Sequence, residues 1–159
     1  SSDLPPDSFY MTDAITDHAV KFLEQYGDSA KPFFMYLAYT APHWPLHAWP
    51  EDIAKYQGRF MKGWDALREE RYERMKNLGL LTPGHHLSPR DEGIPDWESL
   101  SEEKKKEMDL KMAIYAAQID RMDRGIGKVL QRLKKSGIFL GTPSICFVLL
   151  IKQLKEEFD

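Results

Sequence analysis

The sequence has very little cysteine, no surplus of basic residues and no long apolar run. Its 159 residues include one cysteine, Cys146, which excludes an internal disulfide and a multi-cysteine zinc site. Lys and Arg number 22 against 25 Asp and Glu, so the net charge is -3, whereas a general nucleic-acid binder normally shows a basic surplus. The longest apolar run, residues 145–151, is far shorter than the roughly 20 residues of a membrane-spanning helix. We therefore expect neither a nucleic-acid partner nor a membrane span.

A leader is missing as well. The chain begins Ser1-Ser2-Asp3-Leu4, without an initiator Met, a basic n-region or an apolar h-region. Hydrophobic residues make up 42% and charged residues 30%, which are proportions typical of a globular domain. We interpret the chain as a piece of something longer, or as a product whose leader has been removed.

Apolar residues recur every three or four positions in three stretches, which is the pattern of amphipathic helices. They predict a helix from Thr12 to a stop at Gly27, a second over residues 64–78, and a long third between Ser101 and Gly137. A short helix is predicted over residues 51–56. The expected buried faces comprise Ile15, Ala19, Phe22, Leu23 and Tyr26 in the first helix, and Met108, Met112, Tyr115, Ile119, Met122, Ile126, Val129 and Leu133 in the third.

Two apolar stretches have the composition of buried strands. Residues 33–39 are apolar throughout and rich in aromatics, without clear alternation, as in strands that are covered on both faces of a parallel sheet. Residues 145–151 form a second candidate. A helix followed by a buried strand is half of an α/β repeat, so the predicted fold class is α/β, with helix dominating and about two strands.

The loop after the first predicted strand is the densest candidate site. Residues 40–50 hold three prolines and two tryptophans, and His43 follows directly on the carboxyl end of the strand, the edge where open α/β sheets bind ligands. Prolines on either side would fix the direction of the imidazole, and histidine can protonate a leaving group near neutral pH. The alternative is an ordinary histidine satisfied within a Trp-Pro loop. His47, His85 and His86 are weaker candidates, because they lack the spacing of a zinc helix.

At this loop the chain resembles the arylsulfatases. The segment KPFFMYLAYTAPHWPL, residues 31–46, is similar to the strand and "APHxP" loop in the middle of that family. Further similar segments are FYMTDA (9–14), YQGRF (56–60), GWDALR (63–68) and YAAQIDRMD (115–123). The resemblance covers roughly residues 7–140.

The resemblance implies an alkaline-phosphatase-like α/β fold and hydrolysis of sulfate esters. It also implies one bound calcium ion and a formylglycine nucleophile made from a Cys or Ser in a Cys/Ser-x-Pro-x-Arg motif. In that family the histidine that matches His43 contacts the substrate sulfate and is a candidate proton donor to the leaving oxygen. Export to a periplasm, a lysosome or the cell exterior is implied too, although the compartment stays unknown.

The chain departs from the family pattern in two places. Cys146 lies in SICFV, without the Pro or the Arg of the nucleophile motif, and no Asp-Asn pair follows Ile151 to bind calcium. We therefore interpret residues 1–159 as an incomplete sulfatase-like domain with a divergent tail from about 141, inactive on its own. A non-catalytic helical interaction module, or a fragment of a related phosphoester or phosphonate hydrolase, remains the alternative.

Overall fold

The computed structural model describes residues 9–26 and 33–136 of the chain. The described elements, in chain order, are α1 Met11–Tyr26, α2 Pro50–Ala54, α3 Gly63–Asn77, a one-turn 3₁₀ helix Trp97–Ser99, and α4 Glu102–Lys135. The three longer helices confirm the helix predictions to within a few residues at each end. The second predicted strand, at residues 145–151, and Cys146 lie outside the described residues.

The chain divides into two compact units. The first comprises residues 1–45 and 119–159, and the second comprises residues 46–118. The 34-residue helix α4 contributes its first half to the second unit and its last half to the first. Charged side chains run along its whole length, and within the described part of the chain no helix is long and apolar enough to cross a membrane.

The core of the first unit forms where α1 packs against the end of α4. Ala19 and Leu23 of α1 lie buried with Val129 and Leu133 of α4. Toward the N-terminus of α1, the buried face consists of Thr12 and Thr16 instead of large apolar residues. Burial of the Thr16 hydroxyl is tolerated because it donates a hydrogen bond to the Thr12 carbonyl at 3.0 Å.

The prediction that Phe22 and Tyr26 belong to this buried face was wrong. Their side chains are 51% and 58% exposed. The face that α1 buries runs through Thr12, Thr16, Ala19 and Leu23, which are spaced by four, three and four residues. Periodicity located the helix correctly, but hydrophobicity alone could not find a face made partly of hydroxyl residues.

In the second unit, the first half of α4 is held by a buried carboxylate. Asp109 is 4% exposed and accepts hydrogen bonds from the backbone N–H groups of Gly58 at 2.7 Å and Phe60 at 2.8 Å. One turn further along, Ala113 is fully buried, whereas Met112 is 43% exposed. The predicted buried face is therefore displaced here by one position, because the 58–60 loop lies on the side of the helix from which Asp109 projects.

An indole packed on a glycine forms the other centre of the second unit. Trp97 is 5% exposed, its ring meets that of Trp64 edge-on at a centroid distance of 4.9 Å, and its Nε1 donates to the Met61 carbonyl at 3.1 Å. Gly63 has a φ of +86°, and a Cβ there would overlap the Trp97 ring. Glycine is thus required at this position both by backbone conformation and by space.

The prediction of a strand buried on both faces at residues 33–39 was wrong for the described chain. The segment has no regular secondary structure, and no strand is assigned anywhere in the described residues. Met35 and Leu37 contact the core of the first unit, while Phe34 and Tyr36 are 91% and 67% exposed. Met35 and Leu37 are thus partly covered and the neighbouring Phe34 and Tyr36 are not, whereas a strand in the middle of a parallel sheet is covered on both faces.

Candidate functional site: the His43 loop

The loop that carries His43 begins with a tight turn. The backbone N–H of His43 donates to the Thr40 carbonyl at 3.0 Å, which closes a four-residue turn through Ala41 and Pro42. The Ala41–Pro42 and Trp44–Pro45 peptide bonds are both cis. The predicted loop after residue 39 is confirmed, since residues 40–49 contain no helix or strand.

The imidazole of His43 is oriented by its own loop. Its Nδ1 lies 2.7 Å from the Trp44 carbonyl oxygen. Because a carbonyl oxygen only accepts hydrogen bonds, Nδ1 carries the proton and donates it. In the neutral ring this leaves Nε2 as a bare acceptor, and in the protonated ring Nε2–H becomes a donor. The side chain is exposed.

The other predicted histidines lie in the second unit. His85 forms a local contact in which Nδ1 lies 2.7 Å from the Thr82 hydroxyl, and His47 and His86 are exposed. Among residues 9–26 and 33–136, no group of three or more His, Cys, Asp or Glu side chains is placed to hold a metal ion.

A partly buried polar contact lies just before the His43 turn. The Tyr39 hydroxyl is 2.8 Å from Thr16 Oγ1, and Thr16 is 2% exposed. Gly125 of α4 lies against this pair, since a Cβ there would overlap Thr16 Oγ1 and stand 3.0 Å from the Tyr39 hydroxyl oxygen. Sequence reasoning missed the contact, because it joins three segments that are far apart in the chain and no local pattern marks it.

An ion pair joins α1 to α4 beside this contact. Arg121 donates from Nε to Asp13 Oδ1 at 2.6 Å and from Nη2 to Oδ2 at 2.7 Å, a bidentate arrangement that fixes the direction of both side chains. A shallow cavity of about 140 Å³ opens at this place. Its lining residues are Asp13, Thr16, Arg121, Arg124, Gly125 and Lys128.

Ionisation of Tyr39 provides a check on its buried position. Burial raises the pKa of Tyr39 above 10.0. The Thr16 hydroxyl lowers this pKa, because it can turn and donate a hydrogen bond to the phenolate. The negative charges of Asp13 and Asp17 raise the pKa further. The contribution of Tyr39 to stability is thus present below pH 10.0 and is lost as the pH rises through the raised pKa.

In a phenolate absorbance titration, the difference between the wild-type chain and Tyr39→Phe is expected to have its midpoint above 10.0. A midpoint at or below that value would contradict the burial of Tyr39.

Two kinds of comparison relate this chain to known proteins. Residues 1–142 match the protein-family model described as Sulfatase. An uncharacterized sulfatase of Schizosaccharomyces pombe is 36% identical over 131 residues, which cover 82% of this chain and 24% of that protein. An arylsulfatase of Klebsiella aerogenes is 35% identical over 135 residues, which cover 83% of this chain and 28% of the arylsulfatase.

The chain thus spans about a quarter of the length of these curated relatives. The family match ends at residue 142, and a divergent tail from about 141 stays a prediction. The match includes all the described helices and the whole loop around His43. The resemblance predicted from the "APHWP" loop and its flanking segments is confirmed, and this chain belongs to the sulfatase family.

Proposed function

We propose that this chain is an internal piece of an arylsulfatase-like sulfuric ester hydrolase, in which His43 contacts the sulfate group and protonates the leaving oxygen. The observation that carries the proposal is the hydrogen bond from His43 Nδ1 to the Trp44 carbonyl at 2.7 Å. A general acid needs a fixed direction as well as a suitable proton, and this bond supplies the direction. Family membership supplies the class of substrate.

The chemistry expected of His43 follows from its free nitrogen. When a nucleophile from the rest of the parent enzyme bonds to sulfur and the S–O bond to the organic group breaks, the electron pair of that bond stays on the leaving oxygen, which becomes negative. A protonated imidazole whose Nδ1–H is held by the Trp44 carbonyl presents Nε2–H to that oxygen or to a sulfate oxygen. Transfer of this proton yields a neutral alcohol or phenol, and the neutral ring can afterwards take up a proton from water.

The described residues do not supply the other parts of the reaction. The two buried carboxylates of the described residues are already engaged, Asp52 with Lys55 at 2.7 Å and Asp109 with backbone N–H groups, and the partly buried Asp13 pairs with Arg121. Such a set does not fit a calcium ion, which takes six to eight oxygen ligands. A calcium ion and a formylglycine in the parent enzyme are expected from the family resemblance alone.

Because His43 alone cannot provide a nucleophile, the purified 159-residue chain is expected to show no turnover of an aryl sulfate in the presence of calcium. The measurement is release of the phenol under conditions in which a complete arylsulfatase is active. The matched control is His43→Ala in the same chain, which separates genuine turnover from a contaminating enzyme. Turnover by the wild-type chain that disappears in His43→Ala would show that the chain is a complete catalyst.

A further inference from the structure

The Tyr39–Thr16 hydrogen bond has a defined direction. The Thr16 hydroxyl lies 3.0 Å from the Thr12 carbonyl oxygen, which only accepts, so Thr16 donates its single proton there. The Tyr39 hydroxyl, 2.8 Å from Thr16 Oγ1, must then be the donor to Thr16. The contact is therefore a relay of two hydrogen bonds that ends on the backbone of α1.

The relay is enclosed by α4. Gly125 approaches it so closely that a Cβ at this position would overlap Thr16 Oγ1 and lie 3.0 Å from the Tyr39 hydroxyl oxygen. Thr16 is 2% exposed. Three segments of the chain, namely α1, the segment 33–40 and α4, thus meet at the Tyr39 phenol.

The same phenol stands at the start of the His43 loop. Tyr39 is bonded to Thr40, whose carbonyl accepts the backbone N–H of His43 at 3.0 Å. Before Tyr39, the segment is held through the apolar contacts of Met35 and Leu37. Apolar contacts of this kind are non-directional, whereas the Tyr39 hydrogen bond fixes the segment at a single point.

We propose that Tyr39 is a positioning residue for His43: by donating to Thr16 it fixes the origin of the 40–43 turn and so keeps His43 Nδ1 on the Trp44 carbonyl. The proposal rests on the proposed role of His43 in sulfate ester hydrolysis. Placement of this kind is demanding, since a misplacement of about 1 Å can lower a catalysed rate on the order of 10²-fold. Tyr39 itself touches no reacting atom in this scheme.

The test reads the tautomer of His43 directly. In the ¹⁵N-labelled chain, long-range ¹H–¹⁵N spectra distinguish the Nδ1–H from the Nε2–H form of a neutral imidazole, and a His43→Gln sample assigns the signals. The wild-type chain is expected to show the single Nδ1–H pattern. In Tyr39→Phe this pattern is expected to be lost in favour of a mixture of tautomers. Tyr36→Phe, which removes the same atom from a side chain that is 67% exposed, is the matched control and is expected to leave the pattern unchanged.

A second pair of variants separates positioning from folding. Thr16→Val removes the acceptor with little change in shape and should reproduce the effect of Tyr39→Phe. Thr16→Ser keeps the hydroxyl and should retain the wild-type pattern. Far-UV circular dichroism of each variant reports whether α1 and α4 remain helical.

Each outcome decides between the two proposals. A wild-type chain without the Nδ1–H pattern would overturn the geometry on which the role of His43 depends. A wild-type Nδ1–H pattern that survives in both Tyr39→Phe and Thr16→Val would overturn the positioning role alone. Loss of helix in both variants would show that the contact serves the fold of the first unit, and it would also count against the proposal.

Discussion

In a complete and active sulfatase that contains this segment, His43→Ala is expected to lower kcat/KM for an aryl sulfate by about 10²- to 10⁴-fold, the usual range for loss of a general acid. The substitution removes the only group of the 40–45 loop that can both donate to a sulfate oxygen and deliver a proton. The backbone hydrogen bond from position 43 to the Thr40 carbonyl is preserved, so the turn itself should survive. The measurement is steady-state kinetics with purified protein.

The leaving group distinguishes the two parts of this role. An ester of an acidic phenol needs little help from a proton donor, so the loss in His43→Ala should be smaller for nitrophenyl sulfate than for phenyl sulfate. Equal losses for both esters would indicate that His43 contacts the sulfate without protonating the leaving oxygen. His47→Ala, four positions further along the same loop, is the matched control and should stay close to the wild type. An unchanged kcat/KM in His43→Ala would exclude both parts of the role.

Trp97→Ala is expected to destabilise the second unit by about 3–5 kcal/mol, the usual cost of removing a buried indole. Three contacts are lost together: the edge-on packing against Trp64, the hydrogen bond from Nε1 to the Met61 carbonyl, and the packing of the indole ring on Gly63. A typical domain has a total stability of only about 5–15 kcal/mol, so the loss is a large fraction of it. The measurement is urea unfolding followed by far-UV circular dichroism.

Leu80→Ala is the matched control for this substitution. Leu80 belongs to the same unit but is 66% exposed, so its truncation should change the free energy of unfolding by no more than about 0.5 kcal/mol. If Trp97→Ala and Leu80→Ala shifted the urea midpoint equally, the indole would not be the centre of this unit. The burial of Trp97 was not predicted from the sequence.

The helices were predictable because their signals are local. Repetition of apolar residues at three and four positions, with Gly27, Gly79 and Gly137 after the predicted ends, located α1, α3 and α4 to within a few residues. The buried faces were predicted less well, because they depend on what approaches the helix. Hydroxyl residues on α1, and Asp109 with its two backbone donors on α4, occupy buried positions that a hydrophobic pattern cannot identify.

The candidate site shows the same division between local and distant information. His43 was found because proline, tryptophan and histidine stand together in a short stretch of sequence. Its partner, the Trp44 carbonyl, is one residue away, but a backbone acceptor leaves no trace in the sequence. Tyr39 was treated as one more apolar residue of a strand, since its contact with Thr16 spans 23 positions of the chain.

The close approach of Gly125 to Thr16 and Tyr39 also affects how inherited or engineered variants of this segment should be interpreted. Position 125 lies more than 80 residues from His43 along the chain and contains no chemically reactive group. Even one added methyl group there would overlap the Thr16 hydroxyl that is hydrogen-bonded to the phenol preceding the histidine loop. A missense change at Gly125 is therefore expected to be as severe as a change in the histidine loop itself, although the two places are far apart in the sequence.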